Sequence, residues 1–210
     1  MRRLMKLLKK GAEGDIFLTS WNNKKAIIKA RKKKNYRNPS LDQRIRKQRT
    51  IRESEIISDV KSFGISTPLI YYVDTKNCTI LMQHIAGTLV SDLSELKLIT
   101  SCREIGRIVG VMHKNGIMHG DLTTSNFIVS NGKMFVLDFG LANKTKKPED
   151  HAVDLRLFKE ILTSAHVKIM NKSWSNFLKG YKTVVGSGRF SKITNLVTVI
   201  ESRGRYANVV

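Results

Sequence analysis

The first part of the chain alternates short apolar runs with polar turns, a pattern typical of antiparallel strands. Residues 22–25, Asn-Asn-Lys-Lys, lie between the first two apolar runs and predict a hairpin turn. A helix-start signal, Asn-Pro-Ser, occupies residues 38–40 and predicts a long helix from about 41 to 63, ending at Gly64. The predicted strands cover residues 16–21, 26–30, 69–73 and 78–82.

Apolar residues recur at steps of three and four through most of the chain after residue 84, which indicates amphipathic helices. In the first of these helices, Gly106 and Gly110 permit close packing against a neighbour. A second hairpin interrupts the helices at 127–137, where Asn131-Gly132 is a strong two-residue turn signal. The predicted helices cover about 95–114, 153–170, 174–185 and 191–203.

The order of the elements predicts an α+β fold with two lobes, because strands and one helix come first and helices around a hairpin follow. We place the N-lobe at 1–83 and the C-lobe at 84–210. The chain leaves the sheet at the junction, so backbone groups of Gln83 and Ile85 are expected to hold an adenine there.

Residues 119–140 carry the densest candidate chemistry. Asp121 and Asn126 precede the first strand of the second hairpin, and Asp138 follows its second strand, so three oxygen-bearing side chains are expected to converge. Phosphoryl transfer needs such a set, with one carboxylate to orient the attacking hydroxyl and oxygen ligands to hold magnesium on the phosphates.

Lys29 lies on the inner face of the second predicted strand, where it needs an anionic partner. Of two glutamates in the long helix, Glu53 shares the apolar face, whereas Glu55 shares the polar face. We therefore expect Lys29 to pair with Glu53. The alternative is a surface Glu53 neutralised by Arg49 or Arg52.

A glycine pair precedes the first strand. Gly11 and Gly14, with Ala12 and Glu13 between them, form a candidate phosphate-binding turn, because glycines let backbone amides approach phosphates. A loose pair of this kind is a weak signal by itself. An ordinary glycine turn is the alternative.

The formal net charge is +21 and is unevenly distributed. Residues 1–52 hold 18 Lys and Arg against 3 acids, and residues 168–210 hold 8 against 1, whereas the middle is near neutral. Basic ends favour a polyanionic partner, nucleic acid first, although they are also compatible with a solvated surface. Arg203 and Arg205 are the candidate nucleic-acid contacts, on an expected C-terminal tail.

Cys78 and Cys102 lie in apolar surroundings without metal-ligand spacing, which favours buried thiols in a reducing compartment. No apolar run approaches transmembrane length, and no signal peptide is recognisable. We expect a soluble, cytoplasmic protein without a membrane partner.

The candidate features follow one another in a fixed order: glycine turn, strand lysine, helix glutamate, H-G-D-L-T-T-S-N and D-F-G. In this order they resemble the protein-kinase-like superfamily. Further segments make the whole chain resemble the Bud-type atypical kinase/ATPase subunit of the KEOPS (EKC) complex, a family related to the RIO kinases. These segments are Y-R-N-P-S-L-D at 36–42, R-T-I-R-E at 49–53, E-D-H-A-V-D-L at 149–155 and R-G-R at 203–205.

The resemblance implies an ATP- and Mg²⁺-dependent kinase or ATPase that supports threonylcarbamoyl modification of adenosine beside the anticodon of tRNA. It also implies serine/threonine phosphorylation of proteins, including autophosphorylation. The implied partners are the threonylcarbamoyl-transferase subunit of KEOPS, a small helical KEOPS subunit and tRNA. The implied fold is a two-lobed kinase fold with a minimal C-lobe and no activation segment.

The resemblance also assigns roles to individual residues. Lys29 would contact the α- and β-phosphates and pair with Glu53, Asp121 would be the base or water-orienting carboxylate, and Asn126 and Asp138 would hold Mg²⁺. Asp154 would hydrogen-bond the catalytic-loop backbone, and His119 would support the D-F-G turn.

Two departures from ordinary protein kinases stand out. Gly120 replaces the arginine of the H-R-D motif, and seven residues separate Gly140 from Pro148, too few for an activation segment. A stand-alone serine/threonine kinase is the alternative function, and a small-molecule phosphotransferase is a weaker one. A basic binding module with a vestigial site is disfavoured because every expected catalytic residue is present.

Overall fold

The computed structural model describes residues 5–11 and 14–206, with side chains up to Arg203. A five-stranded antiparallel sheet in the order β1-β2-β3-β5-β4 forms its first part, and one long helix, α1 (Pro39–Ser62), connects β3 to β4. The predicted strands are present. The strands of the sheet are β1 Lys6–Lys10, β2 Gly14–Trp21, β3 Lys24–Arg31, β4 Ile70–Asp74 and β5 Thr79–Gln83.

Strand β1 was missed, because Lys6–Lys10 shows neither alternation nor a buried face. It pairs with β2 through its backbone, which sequence pattern does not reveal. The predicted hairpin between β2 and β3 is confirmed, and it turns on Asn22 and Asn23, whose φ angles are 46° and 59°. Two successive positive φ angles are typical of the type I′ turn, which Asn tolerates.

Helix α1 matches the predicted long helix within two residues at its start and one at its end. The Asn38 side chain accepts a hydrogen bond from the Ser40 backbone N–H at 3.0 Å, and Pro39 lies in the first turn, where its missing N–H costs nothing. Gly64 follows with φ 81°, a conformation that favours glycine and ends the helix.

The second part contains helices α2 to α5 and a small three-stranded sheet in the order β6-β8-β9. The predicted second hairpin is β8–β9, and Asn131 and Gly132 form its turn with φ 48° and 74°. A separate pair, β7–β10, links the residues before and after the candidate site. The helices are α2 Glu95–Lys114, α3 Pro148–Ala165, α4 Met170–Val185 and α5 Ser187–Tyr206. The short strands are β6 Thr88–Leu89, β7 Ile117–Met118, β8 Phe127–Ser130, β9 Lys133–Val136 and β10 Asn143–Lys144.

The helix bounds in the last third need correction. Helix α3 begins at Pro148 rather than 153, because proline suits the first turn, and it ends at Ala165 rather than 170. A short 3-10 helix, Val167–Ile169, separates it from α4. The apolar periodicity marks the middle of each helix and not its polar ends.

Helices α2 and α4 cross at glycine positions. A Cβ atom added to Gly106 would lie 2.0 Å from the Phe177 carbonyl oxygen, and one added to Gly180 would lie 1.9 Å from the Arg103 carbonyl oxygen. The predicted close packing at Gly106 is therefore confirmed, with Gly180 as its counterpart on α4. None of the helices in the described part of the chain has the length and apolar character needed to cross a membrane.

One continuous apolar core joins the two parts. Ile56, Ile57 and Val60 of α1 belong to the same buried cluster as Phe139 and the inner faces of α2 to α5. The position of α1, and of Glu53 within it, is therefore tied to the helical half. Cys78 and Cys102 are free and buried, and burial raises the pKa of the Cys102 thiol to about 12.

Gly180→Ala should lower the free energy of unfolding by about 1–3 kcal/mol or more, because two helix backbones must separate to admit the methyl group. Urea unfolding measures the change. Gly188→Ala on α5 is the matched control, since its Cβ would meet no atom within 4 Å. Equal stability of the two variants would contradict the close crossing.

Candidate active site

A cleft of about 300 Å³ lies between the five-stranded sheet and the β8–β9 hairpin. Its walls are mostly apolar, and the polar side chains at one end are the candidate chemistry. A larger groove of about 690 Å³, bordered by Phe63 and Met134, contains none of the candidate residues. The apolar wall of the cleft includes Ile16, Ile27, Met82, Ile85, Leu89 and Ile128.

Gln83 and Ile85 both line this cleft, as expected for an adenine subsite. The backbone N–H of Gln83 donates to the Leu69 carbonyl at 2.8 Å, and its side-chain Oε1 accepts from the Leu69 N–H at 3.2 Å. This N–H is therefore not available to a ligand. The contact of Gln83 with a nucleotide stays a prediction, and the group of Gln83 that could make it is the backbone carbonyl.

The glycine pair lies at a second opening of about 410 Å³, which Lys29, Asp121 and Asp138 also line. Gly11 N–H donates to the Gly14 carbonyl at 3.0 Å, and a Cβ on Gly11 would lie 2.6 Å from that oxygen. A side chain would thus break the turn. Ala12 and Glu13, also predicted to bind phosphate, lie outside the described residues.

Lys29 bridges two carboxylates. Its Nζ lies 2.6 Å from Glu53 Oε1 and 2.5 Å from Asp138 Oδ1. Burial alone would lower the pKa of Lys29, but the attraction of Glu53 and Asp138 outweighs it and raises the pKa. For the same reason the pKa of Asp138 is lowered despite its burial, so the pair is charged at neutral pH.

Glu53 is 2% exposed and points inward, whereas Glu55 is exposed, as the helical periodicity predicted. The alternative of a surface Glu53 is excluded. Glu53 Oε2 also accepts a hydrogen bond from Arg31 Nη2, so two cations neutralise one buried carboxylate.

Arg31 is the site residue that sequence reasoning missed. It ends β3 as a buried side chain, and its Nη2 also donates to the Arg49 carbonyl at 3.3 Å. Strand β3 therefore continues one residue beyond the predicted end at residue 30. The available signal was strand alternation, because Arg31 follows Lys29 by two residues and shares its face.

The β8–β9 hairpin and the residues that flank it bring three polar side chains to one end. Asn126 Nδ2 donates to the Asp121 carbonyl at 2.8 Å and to Asp121 Oδ2 at 3.1 Å. Both amide hydrogens are thus directed at Asp121, so the Oδ1 atom of Asn126 is the atom of this side chain that could bind a cation. Asn126 and Asp138 line the same cleft, and Asp138 has a left-handed backbone with φ 56°.

The backbone around Asp121 is held by a buried carboxylate. Asp154 of α3 accepts hydrogen bonds from the backbone N–H groups of His119 and Gly120, the latter at 2.8 Å. His119 Nε2 lies 3.1 Å from the Leu137 carbonyl oxygen, next to the D-F-G turn. These contacts agree with the supporting roles expected for Asp154 and His119.

Gly120 has a physical reason to be glycine. Its φ is 77°, and a Cβ would lie 2.4 Å from the Leu141 carbonyl oxygen. The arginine of an H-R-D motif does not fit this backbone, because the segment after D-F-G passes too close.

A buried polar cluster extends from Asp154 to the last two helices. His113 Nε2 lies 3.2 Å from Asp154 Oδ2, and His113 Nδ1 lies 2.9 Å from the Tyr181 hydroxyl. The His151 ring stacks on His113 at 4.1 Å, and Arg189 of α5 contacts His151 Nδ1 at 3.0 Å. Burial lowers the pKa of His113 and holds that of His151 at about 4, so both are neutral at pH 7.

The segment after D-F-G is short and fixed. Strand β10 pairs with β7, and Lys144 Nζ lies 2.7 Å from Asp59 Oδ2 on α1. Helix α3 then begins at Pro148. The seven residues from 141 to 147 thus bind α1 to the catalytic loop and leave no extended platform between Gly140 and α3.

Arg203 and Arg205 do not lie on an extended tail, because α5 continues to Tyr206. The Arg203 side chain is exposed, and that of Arg205 lies outside the described part. The expected tail was wrong at these positions, since the helix predicted over 191–203 continues through Gly204 to Tyr206. Their contact with nucleic acid stays a prediction.

The sequence matches the protein kinase domain family over residues 3–167. It is 42% identical to the KEOPS complex subunit Bud32 of Pyrococcus abyssi, over 96% of both chains. It is 44% identical to a probable bifunctional tRNA threonylcarbamoyladenosine biosynthesis protein of Methanocaldococcus jannaschii, over 95% of this chain and 37% of the relative. The chain thus spans a little over a third of that bifunctional relative.

Solved structures give the same fold at low identity. The Rio2 kinase of Chaetomium thermophilum superposes with a TM-score of 0.65 at 13% identity, over 95% of this chain and 73% of that one. Its complex with ADP, Mg²⁺ and phosphoaspartate gives 0.62 at 12%, over 97% and 72%. These likenesses confirm the predicted two-lobed, kinase-like α+β fold.

Arg31→Met should lower the free energy of unfolding by about 3 kcal/mol, the lower end for breaking a buried ion pair, because Lys29 still neutralises Glu53. Urea unfolding measures it. Lys33→Met, which removes an exposed lysine two positions on, should change stability by less than about 0.5 kcal/mol. A loss no larger than that of the control would show that Arg31 does not hold Glu53.

Proposed function

Because the chain belongs to the Bud32 family of protein kinase domain proteins, we propose that it is the ATP-dependent kinase or ATPase subunit of a KEOPS complex. In this role it supports threonylcarbamoyl modification of adenosine beside the anticodon of tRNA. The partners that we propose for it are the threonylcarbamoyl-transferase subunit, a small helical subunit and tRNA. The tRNA also makes the cytoplasm the expected compartment.

The lining of the cleft supports one orientation for the nucleotide in this proposal. Adenine would lie between Ile27 and Ile128, with the Gln83 carbonyl and the Ile85 backbone at its edge. The phosphates would then reach Lys29 and the turn formed by Gly11, Ala12, Glu13 and Gly14. With adenine at Gln83 and Ile85, the proposed boundary between the lobes stays at 83/84.

The residues at the phosphate end of the cleft suit a magnesium ion. Asn126 offers Oδ1, and Asp138 offers a carboxylate whose side chain is 40% exposed to the cleft. One carboxylate and one amide suffice for Mg²⁺, which also takes phosphate oxygens and water as ligands. Bound there, the ion would neutralise charge on the phosphates.

The protein's own side chains then have separate tasks. Lys29 exchanges part of its contact with Asp138 for the α- and β-phosphates, and Glu53, fixed by Arg31, keeps Lys29 in place. Asp121, held by Asn126 and by the backbone that Asp154 anchors, orients the attacking hydroxyl or water. Positioning and charge neutralisation are what phosphoryl transfer needs.

The short segment of residues 141–147 is the observation that carries the proposal. A nucleotide site with all its charged parts lies beside a segment that pairs with β7 and α1 instead of presenting a peptide platform. A water molecule or a residue near the site is then the natural phosphate acceptor, and serine phosphorylation of proteins is secondary. This arrangement disfavours a stand-alone protein kinase that depends on an extended substrate.

A small-molecule phosphotransferase is the remaining alternative. H-G-D-x-x-x-x-N also occurs in aminoglycoside-phosphotransferase-like enzymes, whose substrates are cationic. The net charge of +21 opposes cationic substrates. The proposal therefore stays with a polyanionic partner.

ATP hydrolysis by the full chain should be slow alone and faster when the transferase subunit and tRNA are added, because partners complete the acceptor side of the site. Asp121→Asn should lower the stimulated turnover by about 10²-fold or more, and Asp138→Asn should also weaken Mg²⁺-dependent nucleotide binding. Release of radiolabelled phosphate measures turnover. Asp92→Asn is the control, because Asp92 lies on the 3-10 helix Val90–Asp92 and does not line the cleft.

Equal rates with and without partners would contradict the proposed function. Undiminished turnover in Asp121→Asn would contradict the assigned site. Label on protein instead of in solution would favour the stand-alone kinase.

Deleting residues 203–210 should weaken tRNA binding and reduce the slope of log K against log salt by up to about 2, because each lost phosphate contact contributes about 0.9. Filter binding at several salt concentrations measures the slope. Lys172→Ala/Lys179→Ala on the exposed side of α4 removes equal charge and is the control. An unchanged slope after the deletion would refute the role of Arg203 and Arg205.

A further inference from the structure

An exposed aromatic side chain lies in the basic connection between β3 and α1, residues 32–38. Tyr36 is 78% exposed, more than any other large apolar side chain in the described part of the chain. Among the tyrosines up to residue 203, the others are more covered than Tyr36; Tyr72, on β4, is 59% exposed and Tyr181 is fully buried. An exposed ring does not by itself indicate a function, so the residues around Tyr36 must show whether it is a binding surface.

The connection is ordered by a buried carboxylate. Asp42, 4% exposed, accepts hydrogen bonds from the Lys34 backbone N–H at 3.3 Å and from Arg46 Nε at 2.7 Å. The Arg37 backbone N–H donates to the Lys34 carbonyl at 3.0 Å and closes a turn. The backbone on either side of Tyr36 is therefore fixed.

Arg37 also holds the ring itself. Its guanidinium lies 5.2 Å from the Tyr36 ring centroid and donates to the Tyr36 hydroxyl at 3.1 Å. A cation on one side of the ring together with 78% exposure leaves the other face of the ring to the solvent. Tyr36 is thus a pre-positioned stacking surface.

The neighbouring surface is strongly cationic. Residues 31–52 contain ten Lys and Arg residues and one acid, Asp42, which Arg46 already neutralises. On α1, Arg44, Lys47 and Arg52 are exposed and spaced so that they lie along the solvent side of the helix. A positive track therefore leads from Tyr36 along α1.

We propose that Tyr36 and this track form a contact for single-stranded RNA, in which an unpaired base stacks on the ring and the backbone phosphates follow the helix. The proposal rests on the proposed function, because it assigns part of the RNA surface of the same protein. Bases in unpaired loops stack on aromatic rings regardless of sequence, whereas paired bases offer no free face.

The combination of one ring with many cations distinguishes RNA from a protein partner. Protein interfaces concentrate their binding energy in several clustered apolar anchors. Within residues 32–44, the exposed large apolar side chains are Tyr36 and Leu41, and Leu41 is 40% exposed. A single base needs a single ring. The charge supplies the rest through counterion release.

Fluorescence anisotropy of the full chain with labelled (U)12 RNA, a 12-base-pair blunt RNA duplex and an unmodified tRNA transcript tests the proposal. Tyr36→Ala should weaken (U)12 and tRNA binding by about 5- to 150-fold, the range for the loss of one base stack, and should leave duplex binding within about twofold. Tyr36→Trp should bind (U)12 as tightly as the wild type or more tightly. Thermal unfolding checks that each variant is folded.

Tyr72→Ala is the matched control, because it removes an exposed tyrosine outside the basic segment and should leave all three affinities unchanged. Lys33→Ala should reduce the salt slope for every RNA, duplex included, because it contacts phosphate and not base. The difference between the two kinds of variant separates stacking from charge.

Tyr36→Ala binding (U)12 as tightly as Tyr72→Ala would overturn the proposal. An equal loss of affinity for the duplex and the single strand would also overturn it. So would unchanged RNA affinities together with weaker binding of Tyr36→Ala to vesicles that contain 30% phosphatidylserine. If wild-type protein binds tRNA and is stimulated by it while Tyr36→Ala behaves like the control, the proposed function stands and this contact fails. If wild-type protein with its partner shows no response to tRNA, the proposed function itself fails.

Discussion

The ion-paired group around Glu53 is the constraint on which the rest of the site depends. A carboxylate that is 2% exposed is tolerable only when it is neutralised, and here Lys29 and Arg31 share that task from one face of β3. Because Glu53 lies on α1 and Lys29 also reaches Asp138, the same charges tie the helix, the central strand and the D-F-G turn together. The apolar core reinforces this arrangement, since Ile56 and Ile57 continue the inner face of α1 into the helical half.

Close approaches of backbone shape the other side of the site. Gly120 adopts φ 77°, and a Cβ there would lie 2.4 Å from the Leu141 carbonyl oxygen, so the loop that contains Asp121 and the segment after D-F-G lie against each other. That segment then pairs with β7 and with Asp59 of α1, and it reaches α3 within seven residues. A regulated kinase would need room here for a mobile platform and an arginine to read its phosphorylation. The loss of both features has one geometric cause, the shortness of the segment.

The charge of the chain is segregated in a way that suits this architecture. The middle of the sequence, which builds most of the cleft, is near neutral, and its carboxylates Glu53 and Asp138 are paired with Lys29. The excess of positive charge lies at the two ends, on the surface of α1 and on the last helices. A site with compensated charge and a separate basic surface would allow ATP chemistry and the proposed polyanion binding to use different side chains.

The sequence by itself determined the elements with strong periodicity and the residues of the catalytic hairpin. Asn-Gly and Asn-Asn turns specify local φ angles, and the inward position of Glu53 follows from helical spacing, so both were predictable without tertiary structure. The tertiary structure alone decided the partners of Arg31, the extra strand β1, the early start of α3 and the continuation of α5 past Arg203. Each of these depends on contacts between segments far apart in the chain: a second cation on Glu53, backbone pairing to β2, and helix ends whose polar residues carry no periodic signal. Local pattern fixes which face a side chain presents, but only packing decides what lies opposite that face.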